Sequence, residues 1–191
     1  MKKIGFEDLI SLEEYERTRD DLRRKVIDVK RRRRVQVGPR VSLLFENRDT
    51  VLFQIQEMLH TEHITHHERV QEELDTYNDL IPADDELSAT LFLEFEDSRQ
   101  LPQELPKFTG IETSVSLRVG EHTAEGVPDE IRSKEEITST IHYLRFKLDS
   151  ETRRAFGNGG SKVFLVVALP HYSQMVQIEG ETREELASDL N

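Results

Sequence analysis

The chain of 191 residues contains no cysteine and no tryptophan. Without cysteine there is no disulfide, no thiolate metal ligand and no sulfur nucleophile. Long apolar runs are missing too. The longest, Val163 to Leu169, has seven residues, against the roughly 20 a membrane-spanning helix needs. The opening Met1-Lys2-Lys3-Ile4 runs at once into Glu7 and Asp8, so no signal-peptide apolar region is read. A cytoplasmic location is therefore expected. Several chemistries lack their motifs. There is no Gly-x-Ser-x-Gly elbow, no dinucleotide fingerprint after a strand and no His-Glu-x-x-His. Gly157-Asn158-Gly159-Gly160-Ser161-Lys162 holds the residue types of a phosphate loop. Their order is wrong, and the stretch follows a predicted helix and precedes a strand. A helix C-terminus with a left-handed Gly or Asn accounts for it better.

What is present in excess is charge, unevenly spread. The formal net charge is −12. Residues 1–40 carry 13 basic and 8 acidic side chains, a net of +5, and the remainder carries −17. An acidic body repels phosphate backbones, so nucleic acid is not an expected partner. The one dense positive patch is Lys30-Arg31-Arg32-Arg33-Arg34. It either meets an anionic partner or closes a helix at the negative end of its macrodipole while pairing with the acidic body.

Apolar spacing lays out an α+β fold. Ser11 with Glu14 signs the start of a helix reaching about Arg33. Its apolar positions Leu12, Tyr15, Leu22, Val26 and Val29 form a narrow seam that only Arg19 interrupts. A partner helix of this chain or of a second copy, or the protein's own sheet, would cover that seam. Val35–Val37 and Val41–Phe45 alternate around Gly38-Pro39-Arg40 as a hairpin. Asn47 or Asp49 caps a helix bearing Val51, Leu52, Ile55, Met58 and Leu59. Thr65 opens another, with Val70, Leu74, Tyr77 and Ile81, which Pro82 ends.

Alternation then predicts strands around Leu91, Leu93 and Phe95, around Val115, Leu117 and Val119, over 139–148, and around Val176 and Ile178. Residues 163–169 are apolar on both faces and predict a central strand. Short helices are expected at 100–107, 149–156 and 181–190, and a mobile polar loop at 120–136. The whole reads as one domain, 1–191, with N-terminal helices packed on a mainly antiparallel sheet. Residues 1–82 are mostly helical with a hairpin at 35–45, and 88–191 are mostly strand.

Two clusters invite a functional reading. His60, His63 and His67 would share a helix face at i, i+3 and i+7, a spacing that suits a transition metal. Glu57 and His60 form one Glu-x-x-His pair, where a di-iron bundle needs two. A break near Thr61 to Thr65 would scatter the rings and leave a solvated joint. The second cluster is Glu46-Asn47-Arg48-Asp49, leading into Gln54, Gln56 and Glu57. It lies between a strand and a helix N-terminus, where backbone N–H groups hold anions. Its structural alternative is a capped helix with Arg48 paired to a carboxylate.

Ser11 to Arg17, Lys30 to Arg34, and above all Leu43-Leu44-Phe45-Glu46-Asn47-Arg48-Asp49-Thr50 through Met58 resemble a bacterial family, domain of unknown function family 3501. Gln71 to Asn78 and Glu86 to Phe92 are similar to it as well. The resemblance spans essentially the whole chain. It implies a single domain, no established activity and no catalytic residues, and the histidines lie outside its pattern. It also implies a gene neighbourhood of rubrerythrin-like and iron–sulfur proteins, and hence an accessory role near redox enzymes.

The sequence alone thus leads to a non-catalytic accessory or interaction protein, with another protein or a second copy as partner. Its expected contact surfaces are Arg31 to Arg34 and the 46–57 block. The alternative is a small-molecule or metal-dependent enzyme with a polar site around residues 46–57. No cofactor is specified.

Overall fold

A computed structural model of the chain describes residues 1–128 and 139–190. Its helices are α1 (Leu12–Arg33), α2 (Arg48–Thr61), α3 (His67–Asn78), α4 (Leu101–Glu104), α5 (Ser150–Gly157) and α6 (Gly180–Asp189). The strands are β1 (Arg34–Val37), β2 (Val41–Phe45), β3 (Glu86–Leu93), β4 (Val115–Val119), β5 (His122–Pro128), β6 (Ile141–Lys147), β7 (Val163–Leu169) and β8 (Tyr172–Ile178). The expected α+β class and its antiparallel sheet are present.

The strands form one sheet in the order β1-β2-β3-β6-β5-β4-β7-β8, antiparallel throughout. It curls into a nearly closed barrel, because its two edges meet. The Tyr172 hydroxyl on β8 donates to the Val37 carbonyl at 2.5 Å and accepts from the Arg40 N–H at 3.2 Å. Gly38 makes the approach possible. Its φ is +71°, and a Cβ there would lie 2.6 Å from the Tyr172 hydroxyl.

An eight-stranded barrel is just wide enough to be filled by its own side chains. Val37, Leu43, Phe45, Leu91, Leu117, Phe146, Leu165 and Val167 fill this one, each fully buried. Phe108, Ile111, Phe156 and Leu186 join the same core. A second apolar layer lies outside the sheet. There Val51, Ile55 and Leu59 of α2 and Val70 and Leu74 of α3 pack with Ile4, Leu80 and Ile81. Strand β2 is therefore buried on both faces, while β7 hides only alternate residues. The expectation that 163–169 is covered on both faces is corrected: Phe164 and Val166 are half-buried and Ala168 is exposed. The residues apolar enough for a central strand line the barrel on one side only.

Helix starts follow side-chain chemistry. Ser11 accepts from the Glu14 N–H at 3.2 Å. Asn47 accepts from the Thr50 N–H while Thr50 Oγ1 accepts from the Asn47 N–H, both at 3.0 Å. Asp149 accepts from the Thr152 N–H at 2.8 Å. Asn47, not Asp49, caps α2, and α3 begins at His67 rather than at Thr65. Of the expected 120–136 loop, 122–128 is strand β5, and 129–136 lies outside the described residues. Strand β5 escapes an apolar pattern because its buried positions are Ala124 and Gly126. The Phe146 ring takes the room there, 3.0 Å from where a Gly126 Cβ would sit.

Candidate functional site

The polar block 46–57 does not converge on one point. Arg48 binds Asp8 at 2.6 Å and donates to the Lys2 carbonyl at 3.2 Å. It thereby holds the N-terminal segment. The Gly5 N–H, and then Arg48, keep the Asp8 carboxyl below its ordinary range. Gln56 clamps the same segment, exchanging two hydrogen bonds with the Ile10 backbone at 3.2 and 3.1 Å. Asn78 does likewise with Ile4 at 2.7 and 2.8 Å. Asn47 is spent on the cap and Asp49 is exposed. Gln54 and Glu57, three residues apart, turn to different neighbours: Gln54 lines a cavity and Glu57 faces α1.

Glu57 is the hub between α1 and α2. It accepts from Tyr15 Oη at 2.5 Å and from Arg19 Nε and Nη2, each at 2.8 Å. The bidentate guanidinium, with help from Tyr15 and against the pull of burial, holds its carboxyl down to about 2. Burial and then Glu57 push the Tyr15 hydroxyl above its ordinary range. Arg19, the residue that interrupts the apolar seam of α1, is the one that grips Glu57. That interruption is the sequence signal for this pair.

The histidines separate. His60 contacts Glu16 and lies 5.6 Å from the Tyr15 ring and 6.4 Å from the His63 ring, centroid to centroid. His63 sits at φ +53° in the break after α2. His67 stacks on Phe6 at 4.2 Å. Among the described residues, no three His, Asp or Glu side chains are placed to hold a metal. His142 on β6 is buried and bonds the Ser139 carbonyl at 2.8 Å.

The basic run is largely engaged within the chain. Lys30 Nζ lies 5.6 Å over the Phe53 ring. Arg31 pairs with Asp28 at 3.1 Å, and Arg32 with Glu185 at 2.7 Å. Arg33 is wholly buried and donates to the Phe45 carbonyl at 2.9 Å, to the Glu46 carbonyl at 3.2 Å and to Asp189. Arg34 reaches Ser42 and Glu94 at 2.9 and 3.1 Å and covers the Phe92 ring. The run locks α1 to α6 and to the sheet, while Arg31 keeps two thirds of its side chain in solvent.

Among the described residues, two concavities adjoin the 46–57 block. A groove of about 300 Å³ opens between α1 and α2. Leu22, Val26, Val29, Leu52 and Phe53 make its apolar lining, and Lys25 and Asp49 add charge. The second is a cavity of about 120 Å³ between the outer face of β2, β3 and β6 and the helices α2 and α3. Its walls include Glu46, Gln54, Tyr77, Thr90, Phe92 and Tyr143. Sequence reading picked out Glu46 and Gln54 but not the others, which come from elements far apart in the chain.

A family model described as "Protein of unknown function (DUF3501)" matches residues 3–190. The chain belongs to this family. A solved structure similar to this DUF3501 chain is described as "Crystal structure of novel protein of unknown function from Burkholderia pseudomallei K96243 at 1.90 A resolution". It is 34% identical, with a TM-score of 0.94 over 100% of both chains. No curated protein matches the chain. Among the described residues no helix is long and apolar enough to cross a membrane.

Proposed function

We propose that this DUF3501 chain is an interaction protein that works as an antiparallel pair of copies, joined through the groove between α1 and α2. The groove carries this reading. Leu22, Val26 and Val29 are only half-buried, although they form the apolar seam of a 22-residue helix. Exposed apolar grooves rimmed by charge are where proteins meet proteins.

The occupant follows from charge. Residues 12–21 of α1 carry a net −3 and residues 22–33 a net +6. A second α1 laid antiparallel sets the acidic half against the basic half, whereas a parallel copy opposes like charges. Such complementarity selects partner and orientation. Two copies would then bring four helices together around one apolar seam. A link to rubrerythrin-like or iron–sulfur proteins, the class that the family resemblance suggests, would be an additional contact of this pair.

Sedimentation velocity and native mass spectrometry of the full chain test the reading. The expected result is a mass of two chains at micromolar concentration. The double variant Leu22→Asp, Val26→Asp should run as one chain with unchanged circular dichroism. Each buried, unpaired carboxylate costs about 2 kcal/mol or more, which weakens pairing at least tenfold. A single-chain mass for the unaltered protein at all concentrations would refute the reading. So would a double variant that still pairs.

A further inference from the structure

The groove leaves the second cavity unexplained, and its chemistry is specific. Glu46 follows β2 directly and is only 8% exposed. Its backbone is fixed from both sides: its N–H donates to the Ser88 carbonyl at 2.8 Å, and its own carbonyl accepts from Arg33. Its carboxylate accepts one bond at each oxygen, from Thr50 Oγ1 at 2.5 Å and Thr90 Oγ1 at 2.6 Å. Both donors are neutral hydroxyls. Among the described residues, no ion pair includes Glu46. A carboxylate taken out of water ordinarily has a cation beside it, whereas this residue lines a cavity. The cavity beside it also has aromatic walls, from Phe92, Tyr77 and Tyr143.

A carboxylate among aromatic rings is the chemistry that receives an organic ammonium group. The same cavity also supplies the other half of a ligand. Lys30 and the Gln54 amide line it, and both can donate to an anionic group. Lys30 would repel a bare cation but would favour one that carries its own carboxylate. A volume of about 120 Å³ admits only a molecule of a few heavy atoms.

We infer that this cavity binds a short amino acid, its ammonium on Glu46 and its carboxylate toward Lys30 and Gln54. The cavity shares no lining residue with the α1–α2 groove, although Lys30 Nζ lies over Phe53 of that groove.

Three probes of similar size separate the possibilities on the full-length protein: β-alanine, ethylamine and propionate. Each is titrated while backbone and Gln54 side-chain amide resonances are followed by NMR, with thermal unfolding in parallel. β-Alanine should shift the resonances of Thr90, Gln54 and Tyr143. At about 100 times its dissociation constant it should raise the unfolding midpoint by about 5–10 °C. Ethylamine should bind more weakly, and propionate more weakly still. Glu46→Gln should abolish the response to β-alanine. If that variant fails to fold, the ranking of the three probes on the unaltered protein decides alone. Propionate binding as well as β-alanine would overturn the inference, since Lys30 would then govern the site. Silence from all three at these resonances would overturn it too.

Discussion

Glu57 is the residue on which the helical layer turns. It joins Tyr15 and Arg19 of α1 to α2, and its carboxyl is held down to about 2 from an ordinary 4.5. A carboxylate depressed in this way stabilises the fold fully above its unfolded value. That contribution fades as the pH falls through the folded value. Glu57→Gln should therefore lower stability by about 1–2 kcal/mol at pH 7, the charged hydrogen bonds being partly screened by solvent. For a domain of this size the unfolding midpoint falls by about 2–8 °C. The gap between variant and unaltered protein should close as the pH is lowered from 4.5 toward 2. Thermal scans across that range measure it, and a gap that stays constant with pH would show that Glu57 acts through packing instead.

At the level of elements, the end of α1 matters more than its length. Arg33 is fully buried, although it is the fourth of five consecutive basic residues, a run that the sequence assigns to an anionic partner or to a helix end paired with the acidic body. Burial pushes the Asp189 carboxyl up while Arg33 pulls it back. Removing the cation alone would leave a buried carboxylate and two backbone carbonyls without their donor. Arg33→Met should cost about 3–5 kcal/mol, read from the urea midpoint, whereas Arg31→Met, at a mostly exposed site, should cost little.

The same pair shows what the sequence discloses. Periodicity and caps marked α1, α2, the 35–45 hairpin and most strands, because those signals are local. Arg19 was visible as a break in the seam, although its partner was not. The burial of Arg33 was hidden because the acceptors around it lie at the end of β2 and on α6. The cavity at Glu46 was half legible for the same reason. Glu46 and Gln54 are near neighbours in sequence, whereas Thr90, Phe92 and Tyr143 arrive only with the register of β3 against β6.

For the whole molecule, alternation predicts a sheet equally well whether it stays open or curls. The seam where it closes is marked by one tyrosine and one glycine. The Tyr172 hydroxyl ties β8 to the Val37 carbonyl across 135 residues of chain. Contacts of that separation are slow to form, since the entropy of closing so large a loop is lost before the contact is made. The latch should therefore set late in folding, after the hairpins and the helical layer. Tyr172→Phe should then leave the refolding rate nearly unchanged. Its loss of about 1–2 kcal/mol should appear as unfolding roughly 5–30 times faster. Stopped-flow refolding and unfolding limbs of the variant measure this directly, and an equal slowing of refolding would place the latch in the nucleus. What ties the barrel shut would on this account govern how long it stays folded, and have little part in how quickly it folds.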